Sequence, residues 1–427
     1  GVNEIKVSDA PKGTVLVARE LTPSVTAGIV KENIAGIITE TGGTTSHSAI
    51  LARALEIPAV LSVEGVASSL KNGDTVVVDG SEGAVIVNPD DNTVAEYSKK
   101  RDAFLAERKE LENYRGRETK SASGEVYELF CNIGKPEDAV KAVDADGEGV
   151  GLFRTEFLFM DRTSIPTEDE QFEAYKKAAL ILKGKSLIIR TLDIGGDKDI
   201  PYLGLEKEEN PFMGFRAIRY CLKNRELFKS QIKAILRASA FGDIKIMFPL
   251  ITTMDELREG KKLVAECKAD LRNMGINFNE NIQVGVMVET ASAAVIADML
   301  AKEADFFSIG TNDLTGYTMA CDRGNNDVSY LYSPLQPSVL RMIKRTIECG
   351  VQNGISVGMC GEAAANKLMI PLLISFGLTE FSVSAPSVLN VRKIISTWTK
   401  EEADKVTAKV LEMSTQQEIV EYLKSVV

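Results

Sequence analysis

The sequence has a single histidine among its 427 residues, so any imidazole chemistry must use that one side chain. Its six cysteines form no C-x-x-C pair and have no histidine at zinc-ligand spacing, which excludes a classical zinc site. We expect reduced thiols and a cytoplasmic location. No apolar run is long enough to span a bilayer, no signal-peptide pattern opens the chain, and the net charge of −11 disfavours nucleic acid and anionic membranes as partners.

The histidine, His47, lies in the run T-G-G-T-T-S-H-S-A-I-L-A-R at residues 41–53. Two glycines, small hydroxyl residues and then an apolar-periodic run predict a tight loop that opens a helix, which ends before Pro58. The first turn of a helix favours an anion and disfavours imidazolium, so we expect a neutral ring with a free lone pair. Such a ring can attack phosphorus and hold the phosphoryl group. The alternative is a histidine that only hydrogen-bonds its loop.

The chain predicts three regions. Residues 1–90 form a small α/β domain, with a β-hairpin around Gly80–Gly83. Residues 91–123 form a charged, solvent-exposed linker helix and a hinge. Residues 124–427 alternate short apolar runs with amphipathic helices eight times, which predicts a (β/α)8 TIM barrel. The eight predicted strands are Val126–Cys131, Val150–Phe153, Leu187–Ile189, Ile244–Phe248, Val284–Val288, Phe306–Ile309, Ser356–Met359 and Glu380–Val383.

Polar side chains follow six of these predicted strands, at once or within four residues. Because the carboxyl ends of barrel strands meet at one mouth, we expect these residues to be neighbours. They are Asn132, Arg154, Arg190, Glu289, Asn312 with Asp313, and Cys360.

The residue types at this predicted mouth suit a small phosphorylated anion. Arg154 and Arg190, with Arg216 and Arg323 from nearby loops, offer guanidinium groups for phosphate and carboxylate. The carboxylates of Glu289 and Asp313 are either ion-pair partners of these arginines or ligands of Mg²⁺.

Cys360 has two interpretations as well. It is either an inert small hydrophobe, as we expect of the other five cysteines, or an acid that protonates a carbanion. The loop Gly195-Gly196-Asp197-Lys198 is a weak signal for phosphate. Phosphoryl transfer from a substrate at the mouth to His47 requires positioning and charge neutralisation more than covalent chemistry.

The sequence closely resembles enzyme I of the bacterial phosphoenolpyruvate-dependent sugar phosphotransferase system, the phosphoenolpyruvate-protein phosphotransferase family, along its whole length. The matching runs are G-G-x-T-S-H-S-A-I-L-A-R, G-E-G-V-G-L-F-R-T-E-F-L-F-M-D-R, R-T-L-D-I-G-G-D-K, N-P-F-M-G-F-R-A-I-R, V-G-V-M-V-E-T, F-F-S-I-G-T-N-D-L-T, D-R-G-N and G-M-C-G-E.

The resemblance implies that phosphoenolpyruvate phosphorylates His47 at Nε2, that pyruvate is released and that the carrier protein HPr accepts the group next. It implies that Cys360 protonates the enolate and that Glu289 and Asp313 bind Mg²⁺. It also implies a homodimer formed through the barrel and a swivelling domain around His47. The implied substrate-binding residues are Arg154, Arg190, Arg216, Asn312, Asp313 and Arg323.

The sequence departs from the family pattern at three places. The helical subdomain that docks HPr in the family is not in this sequence, and we expect either a fragment of the full protein or a natural truncation. Thr44 replaces an arginine common in the histidine loop, and Gly316 replaces a glutamine common after N-D-L-T. These departures motivate an alternative function, a catalytically weak paralogue that binds phosphoenolpyruvate as a regulatory sensor.

Overall fold

The computed structural model of the chain describes residues 6–42 and 47–427, without the side chains of Pro23, His47, Ile50 and Ala54. The chain divides into two units, residues 1–110 and 111–427. Over the described residues, no helix combines the length and the apolar character needed to cross a membrane.

The first unit contains a three-stranded parallel sheet in the order β1-β2-β3 and a separate antiparallel hairpin of β4 and β5. Its hydrophobic core combines residues of β2 and α2, including Ile37 and Ala52, so the helix that begins at His47 packs against the sheet. The strands are β1 (Thr14–Ala18), β2 (Ile34–Thr39), β3 (Ala59–Val60), β4 (Val76–Asp79) and β5 (Ala84–Val87). The helices are α1 (Pro23–Thr26), α2 (His47–Leu55), α3 (Val66–Ser69) and α4 (Asp91–Leu111).

Helix α4 is long and buries none of its side chains. Its charged residues predict this exposure, since no apolar stripe is available to pack against a core. Arg108 near its end pairs with Glu56, with 2.6 Å between Nη2 and Oε2. The exposed helix expected from the sequence is therefore present.

The second unit is a closed barrel of eight parallel strands, and this confirms the predicted TIM barrel. Six of the eight strands have the bounds expected from the sequence, and the other two extend further toward the mouth. The strands are β6 (Glu128–Ile133), β7 (Val150–Phe153), β8 (Leu187–Arg190), β9 (Ile244–Phe248), β10 (Val284–Val288), β11 (Phe306–Ile309), β12 (Ser356–Met359) and β13 (Glu380–Val383).

The helices of this unit surround the strands, and two of them begin with a capping box. Thr167 with Glu170 caps α6, and Thr253 with Glu256 caps α9, so that each helix start satisfies its free backbone N–H groups. The helices are α5 (Asp138–Asp144), α6 (Glu168–Leu182), α7 (Ile218–Lys223), α8 (Arg225–Ala238), α9 (Met254–Asn273), α10 (Ala291–Val295), α11 (Ala297–Leu300), α12 (Thr311–Met319), α13 (Pro337–Gln352), α14 (Ile370–Phe376), α15 (Val388–Thr397), α16 (Lys400–Val410) and α17 (Gln416–Val426).

Alternate strand residues divide the buried side chains into two layers. Leu187 and Ile189 belong to the large cluster between strands and helices, whereas Ile188 belongs to a small cluster inside the barrel. The interior cluster consists of Leu152, Ile188, Met247, Met287, Phe306 and Cys360. Cys360 lies at the mouth end of this interior cluster, directly after β12.

The segment that precedes the barrel is anchored by Arg392 of α15, which is 2% exposed. Its guanidinium donates to the carbonyl of Tyr114 and to Thr119 Oγ1, both at 3.0 Å, and pairs with Asp146 and Glu148. Because a buried guanidinium requires such partners, Arg392 fixes residues 114–119 to the barrel.

Candidate active site at the barrel mouth

The structure brings together the polar residues predicted for the mouth. Arg154, Glu289 and Cys360 directly follow β7, β10 and β12, and Asn312 with Asp313 occupies the first turn of α12. The prediction was wrong in detail for two residues, because β6 and β8 continue beyond their apolar runs. Asn132 lies within β6, and Arg190 is the last residue of β8.

Arg190 is buried among acids. Its Nη2 lies 2.9 Å from Glu156 Oε1, and its Nη1 lies 3.3 Å from Asp193 Oδ2. Burial alone would lower the pKa of Arg190, but the charges of Glu156, Asp193 and Glu289 raise it above its usual value. Its Nε is buried without a partner among the described residues, so one donor of the guanidinium remains available.

Arg216 reaches Asp193 as well, from the loop that precedes α7. Its Nη2 lies 2.8 Å from Asp193 Oδ1 and 3.6 Å from Asp313 Oδ2, and its Nη1 donates to Tyr317 Oη at 3.2 Å. Gly195 permits this approach, because a Cβ at residue 195 would lie 2.5 Å from Arg216 Cβ. The glycines of residues 195–196, a weak phosphate signal in the sequence, thus have a packing role here.

Asp193, Glu289 and Asp313 form an acidic triad in which one oxygen of each carboxylate lies within 4.8 Å of the others. Burial raises the pKa of Glu289 well above its ordinary value, and the charges of Asp313 and Asp193 raise it further. Burial raises the pKa of Asp313 too. Burial would also raise the pKa of Asp193, but Arg190 and Arg216 lower it below its usual range.

This triad fits a divalent cation. Glu289 is 3% exposed and accepts a hydrogen bond from the Leu250 N–H at 2.7 Å, and no ion pair with a basic residue is found for it within the described part of the chain. A cluster of buried carboxylates that repel one another suits a hard divalent metal ion with oxygen ligands. Asp193, which pairs with both Arg190 and Arg216, was not singled out from the sequence.

Arg154 and Arg323 differ from the buried arginines in their exposure. Arg154 is exposed, and the described residues offer its guanidinium no ion pair or hydrogen bond. The pKa of Arg154 is lowered, mainly by desolvation and next by the like charge of Arg190. Arg323 is half-exposed and pairs with Glu362 at 2.8 Å. The unpaired guanidinium of Arg154 beside that of Arg190 indicates a binding site for an anion.

Cys360 and Asn312 complete the mouth. Cys360 is buried, its Sγ lies 3.7 Å from the Ile309 carbonyl, and burial raises the pKa of its thiol to about 11. The Oδ1 of Asn312 accepts from the Glu362 N–H at 3.5 Å, a long contact. Gly361 lets this loop approach α12, since a Cβ there would lie 1.8 Å from Thr311 Oγ1.

His47 begins α2 in the first unit, as its sequence context predicts. The glycine-hydroxyl loop at residues 43–46, including Thr44, and the imidazole itself lie outside the described residues.

Three functional residues were missed in the sequence. They are Glu156, Asp193 and Tyr317, all of which hold arginines of the mouth. Asp193 had one usable signal, since it stands three residues after a strand-end arginine. Tyr317 could have been found from its i+4 relation to Asp313 on α12, which places both on one helix face.

The two units match two family models. Residues 10–83 match the mobile domain of PEP-utilising enzymes, and residues 108–399 match their PEP-binding domain. The chain is 51% identical to the phosphoenolpyruvate-protein phosphotransferase of Bacillus subtilis over 410 residues, which are 96% of this chain and 72% of that protein. It is 47% identical to the Staphylococcus carnosus protein of the same name and 48% identical to that of Priestia megaterium, covering 99% and 100% of this chain and 74% of each relative.

Proposed function

This chain belongs to the phosphoenolpyruvate-protein phosphotransferase family, and we propose that it transfers the phosphoryl group of phosphoenolpyruvate from the barrel mouth to His47 and releases pyruvate. Residues 1–90 act as the swivelling phosphohistidine domain, residues 91–123 as the linker, and residues 124–427 as the substrate-binding domain. The curated relatives are named as transferases, and this favours catalysis over the alternative of a phosphoenolpyruvate sensor.

The observation that carries the proposal is the unpaired guanidinium of Arg154 beside the acidic triad. A trianion of phosphate and carboxylate requires positive charge that protein carboxylates have not already neutralised. Arg154 supplies this charge without first breaking an ion pair, and the Nε of Arg190 offers a further hydrogen-bond donor. Arg216 and Arg323 bind the substrate as well, and Asn312 and Asp313 orient it.

Glu289 and Asp313 hold Mg²⁺ in this proposal, with Asp193 close by. The metal ion supplies charge neutralisation for the phosphate oxygens when it is bound. The buried arginines keep Asp193 ionised, and the N–H of Leu250 orients the Glu289 carboxylate. In-line attack then depends on the neutral imidazole of His47, which needs a free lone pair.

Cys360 acts as the acid. The proposal is supported by its burial at the mouth and by a thiol pKa of about 11, which keeps the proton on sulfur near neutral pH. The thiol gives that proton to C3 of the enolate left after phosphoryl transfer, so that pyruvate forms.

Three further assignments belong to the proposal. The phosphoryl group passes from His47 to a carrier protein, HPr. The protein forms a homodimer through the barrel, supported by the apolar side chains of Val295 and Met299, which are 52% and 54% exposed on neighbouring helices. The protein works in the cytoplasm, supported by six free, buried cysteines.

Pyruvate release tests this function. Arg154→Gln removes a guanidinium that no described residue pairs with, so we expect normal folding and a KM for phosphoenolpyruvate raised on the order of 10–100-fold. The control Arg272→Gln breaks an exposed ion pair with Glu280, away from the mouth, and should change nothing. A wild-type protein that binds phosphoenolpyruvate without forming pyruvate would support the sensor instead.

A further inference from the structure

The carbonyl of Cys360 accepts a hydrogen bond from the side-chain amide of Asn132, two strands away in the barrel. Asn132 Nδ2 donates to this carbonyl at 2.8 Å, and Asn132 Oδ1 accepts from Ser382 Oγ at 2.6 Å. β13 separates β12 from β6 in the barrel order, so Asn132 reaches over one strand to contact Cys360. Both ends of the amide are engaged, and its orientation is fixed by this pair of bonds.

The amide of Asn132 lies at the border between the polar mouth and an apolar cluster. The interior beside it is apolar, with Leu152, Ile188 and Met287 in the same cluster as Cys360. Asn132 itself is half-buried, and its two hydrogen bonds offset the cost of placing a polar group next to this cluster.

Two bonds fix the Cys360 peptide. Its N–H donates to the Ile309 carbonyl at 3.1 Å, and its carbonyl accepts from Asn132. Because the backbone is held on both sides of Cys360, the direction of its Cα–Cβ bond is restricted. This limits the positions that the thiol can occupy.

We propose that Asn132 and Ser382 are positioning residues that aim the Cys360 thiol at the substrate carbon, an inference that rests on the proposed function of Cys360 as the acid. In that step the S–H bond breaks and the enolate electron pair forms a C–H bond at C3. The enolate oxygen becomes the ketone, and the thiolate left on Cys360 recovers a proton from water. A shift of about 1 Å in a reacting group costs on the order of 100-fold in rate.

Single turnovers with labelled phosphoenolpyruvate and Mg²⁺ separate the two steps. Protein-bound, acid-labile phosphate reports phosphoryl transfer, and pyruvate reports protonation. We expect Asn132→Ala to slow pyruvate formation about 10–100-fold, with a larger solvent deuterium isotope effect, and to slow phosphoryl transfer less than about threefold. Ser382→Ala should slow pyruvate formation in the same way but less strongly. If Asn132→Ala does not fold, Ser382→Ala provides the test of the inference.

Asn353→Ala is the matched control, because Asn353 Nδ2 also donates to a cysteine carbonyl, that of Cys349, at 2.8 Å. It should behave as wild type. Pyruvate formation at the wild-type rate in Asn132→Ala, or an equal fall in both steps, would overturn the inference. Cys360→Ala reports separately on the proposed function, since normal pyruvate formation in that variant would remove the acid role itself, and the inference with it.

Discussion

Glu289 and Asp193 are both buried acids at the mouth, yet their surroundings give them opposite properties. Asp193 has two arginine partners that lower its pKa, whereas burial and neighbouring carboxylates raise the pKa of Glu289. The sequence left open whether the acids of the mouth pair with arginine or bind metal. Asp193 pairs with two arginines, whereas Glu289 has no ion pair among the described residues. Asp193 was missed because its ion pairs depend on how the loops of the mouth approach one another.

Glu289→Gln tests the metal site. The amide keeps the size of the side chain and its bond from Leu250 but removes the negative charge, so we expect Mg²⁺ to bind on the order of 10–100-fold more weakly by calorimetry. Glu266→Gln is the control, since Glu266 pairs with Lys229 on the outside of the barrel. Unchanged Mg²⁺ affinity in Glu289→Gln would place the cation elsewhere.

Glu380 is a further buried acid, at the start of β13 inside the barrel. Burial and the charge of Glu128 raise its pKa to about 8, and Lys245 only partly offsets this. Its Oε1 has no partner among the described residues. Nothing in the sequence distinguished this glutamate from surface acids. Its carboxylate is buried against Gly151 and Gly358 of other strands, and these contacts form only when the barrel closes.

We expect the stability of the barrel to fall between about pH 4.5 and pH 8 because of Glu380. The folded protein holds this proton while the unfolded chain loses it, so the unfolded state is favoured as pH rises through this window. Glu380→Gln removes the effect and should be more stable at pH 8 than wild type, on the order of 4 kcal/mol. Denaturant unfolding of the two proteins at pH 5 and pH 8 measures the difference, and an equal pH dependence in both would refute the assignment.

At the scale of elements, the strands were predicted best. Short apolar runs bounded by polar residues define a buried parallel strand closely, and those of β7 and β9–β13 were correct to the residue. Breaks within helices are less predictable. Ile296 separates α10 from α11, and helix propensity does not report where packing interrupts a helix.

The loop of residues 211–215 carries no periodic pattern, so its link to α12 was not predictable. Tyr317 makes that link, since its hydroxyl donates to the Phe212 carbonyl and accepts from Arg216. The Phe212 ring lies 5.6 Å from the Arg216 guanidinium carbon. Helix α12 and this loop therefore hold Arg216 from two sides.

Tyr317→Phe should loosen this arrangement while keeping the ring. Loss of a hydrogen bond to a charged group corresponds to about a tenfold rise in the KM for phosphoenolpyruvate, with little change in thermal stability. Tyr422→Phe on α17, far along the chain from the mouth residues, serves as the control. A KM equal to that of wild type would show that Arg216 does not depend on this hydroxyl.

At the scale of the whole molecule, the order of the two units was predictable because each has its own pattern of apolar runs. The partner surfaces were not, since exposed apolar residues are common on monomers and only their grouping is informative. Val295 and Met299 form one such group, four residues apart on α10 and α11.

A barrel-mediated homodimer predicts a solution mass of about twice 46.4 kDa by light scattering. Met299→Glu should shift the protein toward the monomer, because a charge in a buried apolar interface is costly. Leu180→Glu places a charge at a similarly exposed apolar position on α6 and should leave the dimer intact. Dissociation by Leu180→Glu, and not by Met299→Glu, would assign the interface to another face.

The most direct test of the whole account is the fate of the phosphoryl group. After incubation with phosphoenolpyruvate and Mg²⁺, intact-mass spectrometry should show one added phosphoryl group per chain, labile in acid and matched by an equal amount of pyruvate. The same treatment of His47→Ala should add nothing, because the sequence contains no other imidazole. Equal phosphorylation of the two proteins would contradict the account.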